Sequence, residues 1–176
     1  MIAEFGPSSE TNGLLGRIYK DRWDLAKKEA LPEARALLKN AIDAYLADFE
    51  ADWRDAYPGI NAVTLMEMLP KPDPRQAEVL PVVRYSASRK AAKTPDYWDH
   101  ATLLELAILA RDADDAEERL GDALAVARAG WELETTACNL SLIREMREGR
   151  GEDAAWIKTL EDLLKQRASR LEGGKA

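Results

Sequence analysis

Apolar residues recur at three- and four-residue spacing along nearly the whole chain, and no stretch alternates with the period of two that a strand requires. The clearest run is Leu37, Leu38, Ile42, Tyr45, Leu46 and Phe49, which predicts a long helix over residues 32–56 with Pro32 in its first turn. Ahead of it, Ser8 or Ser9 can cap a helix over 10–23 whose apolar stripe is Leu14, Leu15 and Ile18. Tyr57-Pro58-Gly59 reads as the break after the long helix. A shorter helix over 60–69 then stops at the proline cluster Pro70-Lys71-Pro72-Asp73-Pro74, and residues 76–93 predict another in spite of Pro81. Four more follow: from Thr94 or Asp96 to 112, over 114–129, over 131–147, and over 152–171. The fold class is all-α, with about seven to eight helices. Residues 1–8 read as a disordered or added N-terminus and 172–176 as a frayed tail around a single domain over 9–171, irregular to about 94 and clearer in its repeats beyond.

The pattern repeats with a period. Trp98 and Trp131 each open a helix and stand 33 residues apart, and Ala116, Leu120 and Ala123 give a small-large-small pattern on the helix between them. Leu15-Gly16 followed by Tyr19 has the form of a tetratricopeptide first helix, and Ala41 with Tyr45 that of its second. A period near 34 with paired helices predicts an α-solenoid of antiparallel helix pairs, in which small residues let helices approach and large ones fill the gaps. In that register the concave groove receives Glu10, Gly13, Arg17, Lys20 and Asp21 from the first helix. Asp99, Leu103 and Leu106 would come from the Trp98 helix, and Glu132, Thr136 and Asn139 from the Trp131 helix. Two cations, two anions and a glycine on one short face suit either an anionic ligand or a solvated face with local ion pairs.

Composition narrows the function classes. One Cys and one His among 176 residues exclude a disulfide framework and a Cys/His zinc site. A net charge of −7 opposes binding of nucleic acid through bulk charge, and no run is long enough to span a membrane, so the expectation is a cytoplasmic domain with neither partner. Local charge departs from the total: Arg17, Lys20, Arg22, Lys27 and Lys28 gather in one segment. His100 reads as a surface residue and Cys138 as a small buried thiol rather than as a nucleophile pair. Asp48, Glu50 and Asp52 alternate as calcium ligands do, but Trp53 and Gly59 occupy the positions that need glycine and glutamate. The acidic run over 112–118 suits a helix N-terminus, and Arg84, Arg89, Lys90 and Lys93 make too small a patch for RNA.

Two strings carry more than composition does. Thr11-Asn12-Gly13-Leu14-Leu15-Gly16-Arg17-Ile18-Tyr19-Lys20-Asp21 and Tyr57-Pro58-Gly59-Ile60-Asn61-Ala62 resemble the tetratricopeptide-repeat sensor domain (TPR-S). That family occurs in bacterial signalling and conflict-system proteins and in the central regulatory region of apoptosis signal-regulating kinases, formerly called a TRAF-binding domain. The resemblance spans about Ser9 to Leu164 and is sharp in the two strings. It implies a helical repeat domain that senses a nucleotide-derived ligand, for example one made from NAD such as ADP-ribose, and signals to an effector. The matching positions are Glu10, Thr11, Arg17, Lys20, Asp21, Tyr57, Gly59 and Asn61.

The chemistry of these residues agrees with that implication in part. Arg17 offers a fork for phosphate oxygens with Lys20 nearby, Asp21 or Glu10 can accept ribose hydroxyls, and Tyr57 can stack on a base. Arg54 falls on a stripe with Glu50 and Tyr57 and would reach the same site. Tyr57 to Asn61 equally fits a tight turn in which Asn61 caps the next helix. The reading is a non-enzymatic sensor without a cofactor or metal, its partners a nucleotide-like ligand and an effector protein. The alternatives are a scaffold that binds a peptide or protein, and a nucleotide hydrolase using Glu10 or Asp21.

Overall fold

Eight α-helices and no strand make up the described residues of the computed structural model, 9–93 and 95–173, with side chains described from Gly13 onward. They are α1 (Ser9–Lys28), α2 (Ala34–Ala51), α3 (Ala56–Glu67), α4 (Arg75–Ala91), α5 (Tyr97–Leu109), α6 (Ala113–Val126), α7 (Gly130–Gly149) and α8 (Ala155–Gly173). A cap from Ser8, the segment 1–8, Thr94 as a helix start and tail residues 174–176 lie outside the described residues. The chain divides into two compact units between Ser86 and Ala87.

In the first unit α1 lies on α2 and α2 on α3. The predicted stripe of the long helix is its core: Leu37, Leu38, Ile42, Tyr45, Leu46 and Phe49 are all buried. The stripe predicted for α1 is not. Leu14 and Ile18 are exposed, and the buried positions are Gly16, Trp23 and Ala26. Gly16 explains the difference, because it lets the α1 backbone lie against the ring of Tyr45: a Cβ there would stand 2.7–2.9 Å from three ring carbons. Close backbone approach thus sets which face of α1 is inside, and the leucine side is left outward.

The break after α2 falls over 52–55, earlier than Tyr57-Pro58-Gly59 suggested. Asp55 caps α3, its side chain accepting from the Tyr57 N–H at 3.0 Å, so Tyr57 and Pro58 sit in the first turn, where a missing N–H costs nothing. Asn61 is therefore inside the helix and is not its cap; its amide donates to the Tyr57 carbonyl at 2.9 Å. Pro81 lies within α4 on an exposed side, as does Ala77, whose carbonyl loses its helical donor there.

The second unit consists of two helix pairs, α5 with α6 and α7 with α8, with α5 against α7 and α6 against α8. Ala116, Leu120 and Ala123 are buried on α6 as the repeat pattern requires. Each helix start has an acidic side chain at its orphan N–H groups. Asp96 and Asp99 form a reciprocal capping box on α5, Asp112 accepts from the Asp115 N–H on α6, and Glu132 accepts from the Ala129 and Arg128 N–H groups ahead of α7. The ends of α5 and α7 close alike, with left-handed Arg111 and Gly151 followed by N–H bonds from Asp112 to Ala107 and from Glu152 to Arg147. Arg111 reaches Glu152 at 2.6 Å, and the buried Arg147 donates to the Ile108 and Leu109 carbonyls at 2.9 and 3.3 Å, so the two closures are joined.

Candidate functional site

Three of the family-string residues meet in the first unit. Arg17 and Asp21 lie one turn apart on α1, and both act electrostatically on the Tyr45 hydroxyl of α2, which is hydrogen-bonded to Tyr57 at the start of α3. Burial pushes the Tyr45 phenol well above its ordinary range, with Tyr57 and Asp21 adding to the shift and Arg17 opposing it. Tyr45 is thus a protonated, fixed donor, while the ring of Tyr57 is 58% exposed. Arg17 is exposed and Lys20 half-buried, and neither has an ion-pair partner among the described residues. The cluster offers a cation, a carboxylate and an aromatic face around the Tyr45 hydroxyl.

Other expected members of the site have different surroundings. A Cβ on Gly13 would lie 2.6 Å from the buried Asp48 carboxylate, and one on Gly59 within 2.7–2.9 Å of Val83 and Phe49. Both glycines therefore serve helix packing rather than ligand approach. Arg54 is in the loop before α3 and not on a stripe with Glu50 and Tyr57. It grips Asp52 through Nε (2.7 Å) and Nη2 (2.9 Å), which holds that carboxyl below the usual carboxylate range. The side chains of Glu10 and Thr11 lie outside the described residues.

The groove register is corrected in the second unit. Thr136 is buried, its hydroxyl 2.7 Å from that of Tyr97, and Leu106 is fully buried. Asp99 belongs to the capping box and pairs with Lys90 at 3.1 Å. Glu132 is engaged as the cap of α7, and the Asn139 amide donates to Glu105 at 3.5 Å. Burial pushes the Tyr97 phenol up to about 12, with the Thr136 hydroxyl opposing and Glu132 adding.

The observed register leaves the two helix-opening tryptophans on the surface as an aromatic pair. Trp98 is 40% exposed and Trp131 58%, and their rings lie against each other with centroids 5.7 Å apart, inclined by 42°. Tyr97 points inward in place of Trp98 and meets it edge-on at 5.2 Å. The phase of α7 carried the signal: Leu133, Leu140 and Ile143 define a buried side to which Trp131 is opposite. Cys138 shares the outward side and is exposed, contrary to the expected buried thiol. His100 is half-buried on α5, with Nδ1 3.9 Å from Asp122. Among the described residues no group of His, Cys, Asp and Glu could hold a metal ion, and no helix is long and apolar enough to cross a membrane.

Comparison with known proteins separates the family from its finer type. The chain is 31% identical over 135 residues to the mitogen-activated protein kinase kinase kinase nsy-1 of Caenorhabditis elegans, a stretch that is 74% of this chain and 9% of that protein. The chain thus spans a small fraction of the curated relative it matches. No solved structure matches. The MAP3K TRAFs-binding domain matches residues 2–162, nearly the whole helical array. The family's description is of a binding domain and not of a kinase domain, which is consistent with a non-enzymatic chain. All-helical, and matched to one family over both of its units, the chain belongs to the MAP3K TRAFs-binding domain family.

Proposed function

We propose that this chain is a regulatory module that binds a signalling protein, and that it does so through the surface around Trp98 and Trp131. The observation that carries the reading is the exposed tryptophan pair. Tryptophan is among the residues most enriched at interface hot spots, and two of them in contact on an exposed surface form the kind of anchor a partner desolvates. TRAF adaptors, the partners in the family's description, are the first proteins to try. Calorimetry of the full chain against a purified TRAF domain should give saturable binding that Trp131→Ala weakens at least tenfold, about 1.4 kcal/mol, with unchanged helical circular dichroism. Binding that is indifferent to both Trp131→Ala and Trp98→Ala would refute this placement.

A second reading has its own support in the Arg17, Asp21 and Tyr57 cluster on the first unit, with Lys20 next to Asp21 on α1. Its fork, point charge, carboxylate and ring suit the phosphate, ribose and base of a nucleotide derivative such as ADP-ribose, as a sensor domain of the TPR-S type would use. A thermal shift with ADP-ribose or NAD that Arg17→Ala abolishes is the expected result. The absence of a shift with either compound at millimolar concentration counts against this ligand class.

A further inference from the structure

The outward face of α7 continues from Trp131 as a narrow uncharged stripe. Thr135, Cys138 and Leu142 follow at positions i+4, i+7 and i+11, so the four lie in one line along the helix. Over that interval the stripe runs about 16 Å, three turns of helix. Thr135 and Cys138 are exposed and Leu142 half-buried, and both residues in the middle are small. Large side chains at the ends and small ones between make a shallow seat for a helix ridge of leucine-sized groups.

Charge selects among helices. One flank of the stripe carries Glu134 and Glu145, each three residues after an end residue of the stripe and so on the same side, both exposed. Glu134 has no ion pair among the described residues, and Glu145 meets Arg144 only at 3.8 Å. The cations of α7 that follow Trp131 point elsewhere. Arg144 is held by Glu161 at 2.6 Å and Glu148 at 2.8 Å, and Arg147 is buried beneath the end of α5. The stripe therefore presents two carboxylates and an indole pair with no facing cation of its own helix. Lysines or arginines beside the apolar stripe of an incoming helix would meet Glu134 and Glu145, and one near the indoles gains a cation–π contact.

We infer that the α7 face from Trp131 to Leu142 seats a basic amphipathic helix of the partner protein. This rests on the protein-binding reading above and adds the chemistry of the bound segment. Cys138, the single cysteine of the chain, stands in the middle of the seat and reports its occupancy. Two synthetic helical peptides with the same leucine stripe, one flanked by Lys and Arg and the other by Glu, serve as probes against the full chain. The basic peptide should slow alkylation of Cys138 at least tenfold at saturation and protect less as salt is raised. The acidic peptide should leave the rate unchanged, and the double substitution Glu134→Lys with Glu145→Lys should remove the protection. Equal protection by both peptides, protection that survives the double substitution, or none at millimolar peptide overturns the inference. A partner whose binding falls in Trp131→Ala while the basic peptide fails to protect overturns this inference and leaves the protein-binding reading standing. A partner insensitive to both Trp131→Ala and Trp98→Ala removes both.

Discussion

Gly16→Val should destabilise the chain by about 3 kcal/mol, at the upper end of what overpacking a tight core costs. The contact is unusually close and has nowhere to go. A Cβ at position 16 would stand 2.7, 2.8 and 2.9 Å from Cγ, Cδ1 and Cδ2 of Tyr45. Those atoms are at the root of the ring, the ring is buried, and its hydroxyl is tied to Tyr57, so relief requires α1 to back away from α2. Gly16→Ala opposes the same clash with a gain of about 1 kcal/mol in helix propensity, and should fall between wild type and valine. Gly121→Ala on α6 separates the two effects. Nothing lies within 4 Å of the added methyl there, so propensity acts alone and the variant should gain about 0.5–1 kcal/mol. Urea unfolding of the three variants checks this, read as a shift in midpoint at constant slope. Gly16→Ala as stable as Gly121→Ala would mean that Gly16 does not set the α1–α2 spacing.

The same glycine shows why parts of the fold were legible and others were not. A helix that buries large apolar residues, such as α2, announces its inner face by periodicity alone, and all six predicted positions are inside. α1 is held by the absence of a side chain at Gly16, a signal that hydrophobic patterning cannot register, so its visible leucines pointed the wrong way. Turn chemistry misled in a similar manner at Tyr57-Pro58-Gly59, because proline and glycine are read as breakers even where a cap at Asp55, two residues ahead of Tyr57, puts them in the opening of a helix. In the second unit a tryptophan at each helix start looked like a repeat anchor. The adjacent tyrosine took the interior position because its hydroxyl finds Thr136 and the Glu132 carbonyl there, which an indole placed in the same pocket would not match. The candidate cluster was legible only as strings. Tyr57 is far in sequence from Arg17 and Asp21, and Tyr45, which joins them, has the pattern of a core residue.

Arg147 is the position where a single substitution should cost most. The residue is 1% exposed and its guanidinium lies under the end of α5, donating to the Ile108 and Leu109 carbonyls of the last turn. Burying a guanidinium is expensive, so an apolar replacement of similar length recovers part of its desolvation. That recovery is limited by what remains. The Ile108 carbonyl keeps a bond from the Arg111 N–H, but the Leu109 carbonyl loses the Arg147 donor in a place closed to water. Arg147→Met should therefore cost about 2–3 kcal/mol, the sum of a lost charged hydrogen bond and a stranded acceptor. Arg147→Ala adds the cavity of the largest fully buried side chain in the described residues and should cost about 5 kcal/mol. Arg147→Lys keeps the charge at the carboxyl end of α5 but not the fork, and should lie closer to wild type than methionine does. That order, with lysine above methionine and methionine above alanine, is the test by urea unfolding. A methionine variant as stable as wild type would show that Arg147 fills space without closing α5, and that the Arg111–Glu152 pair alone joins the two helix ends.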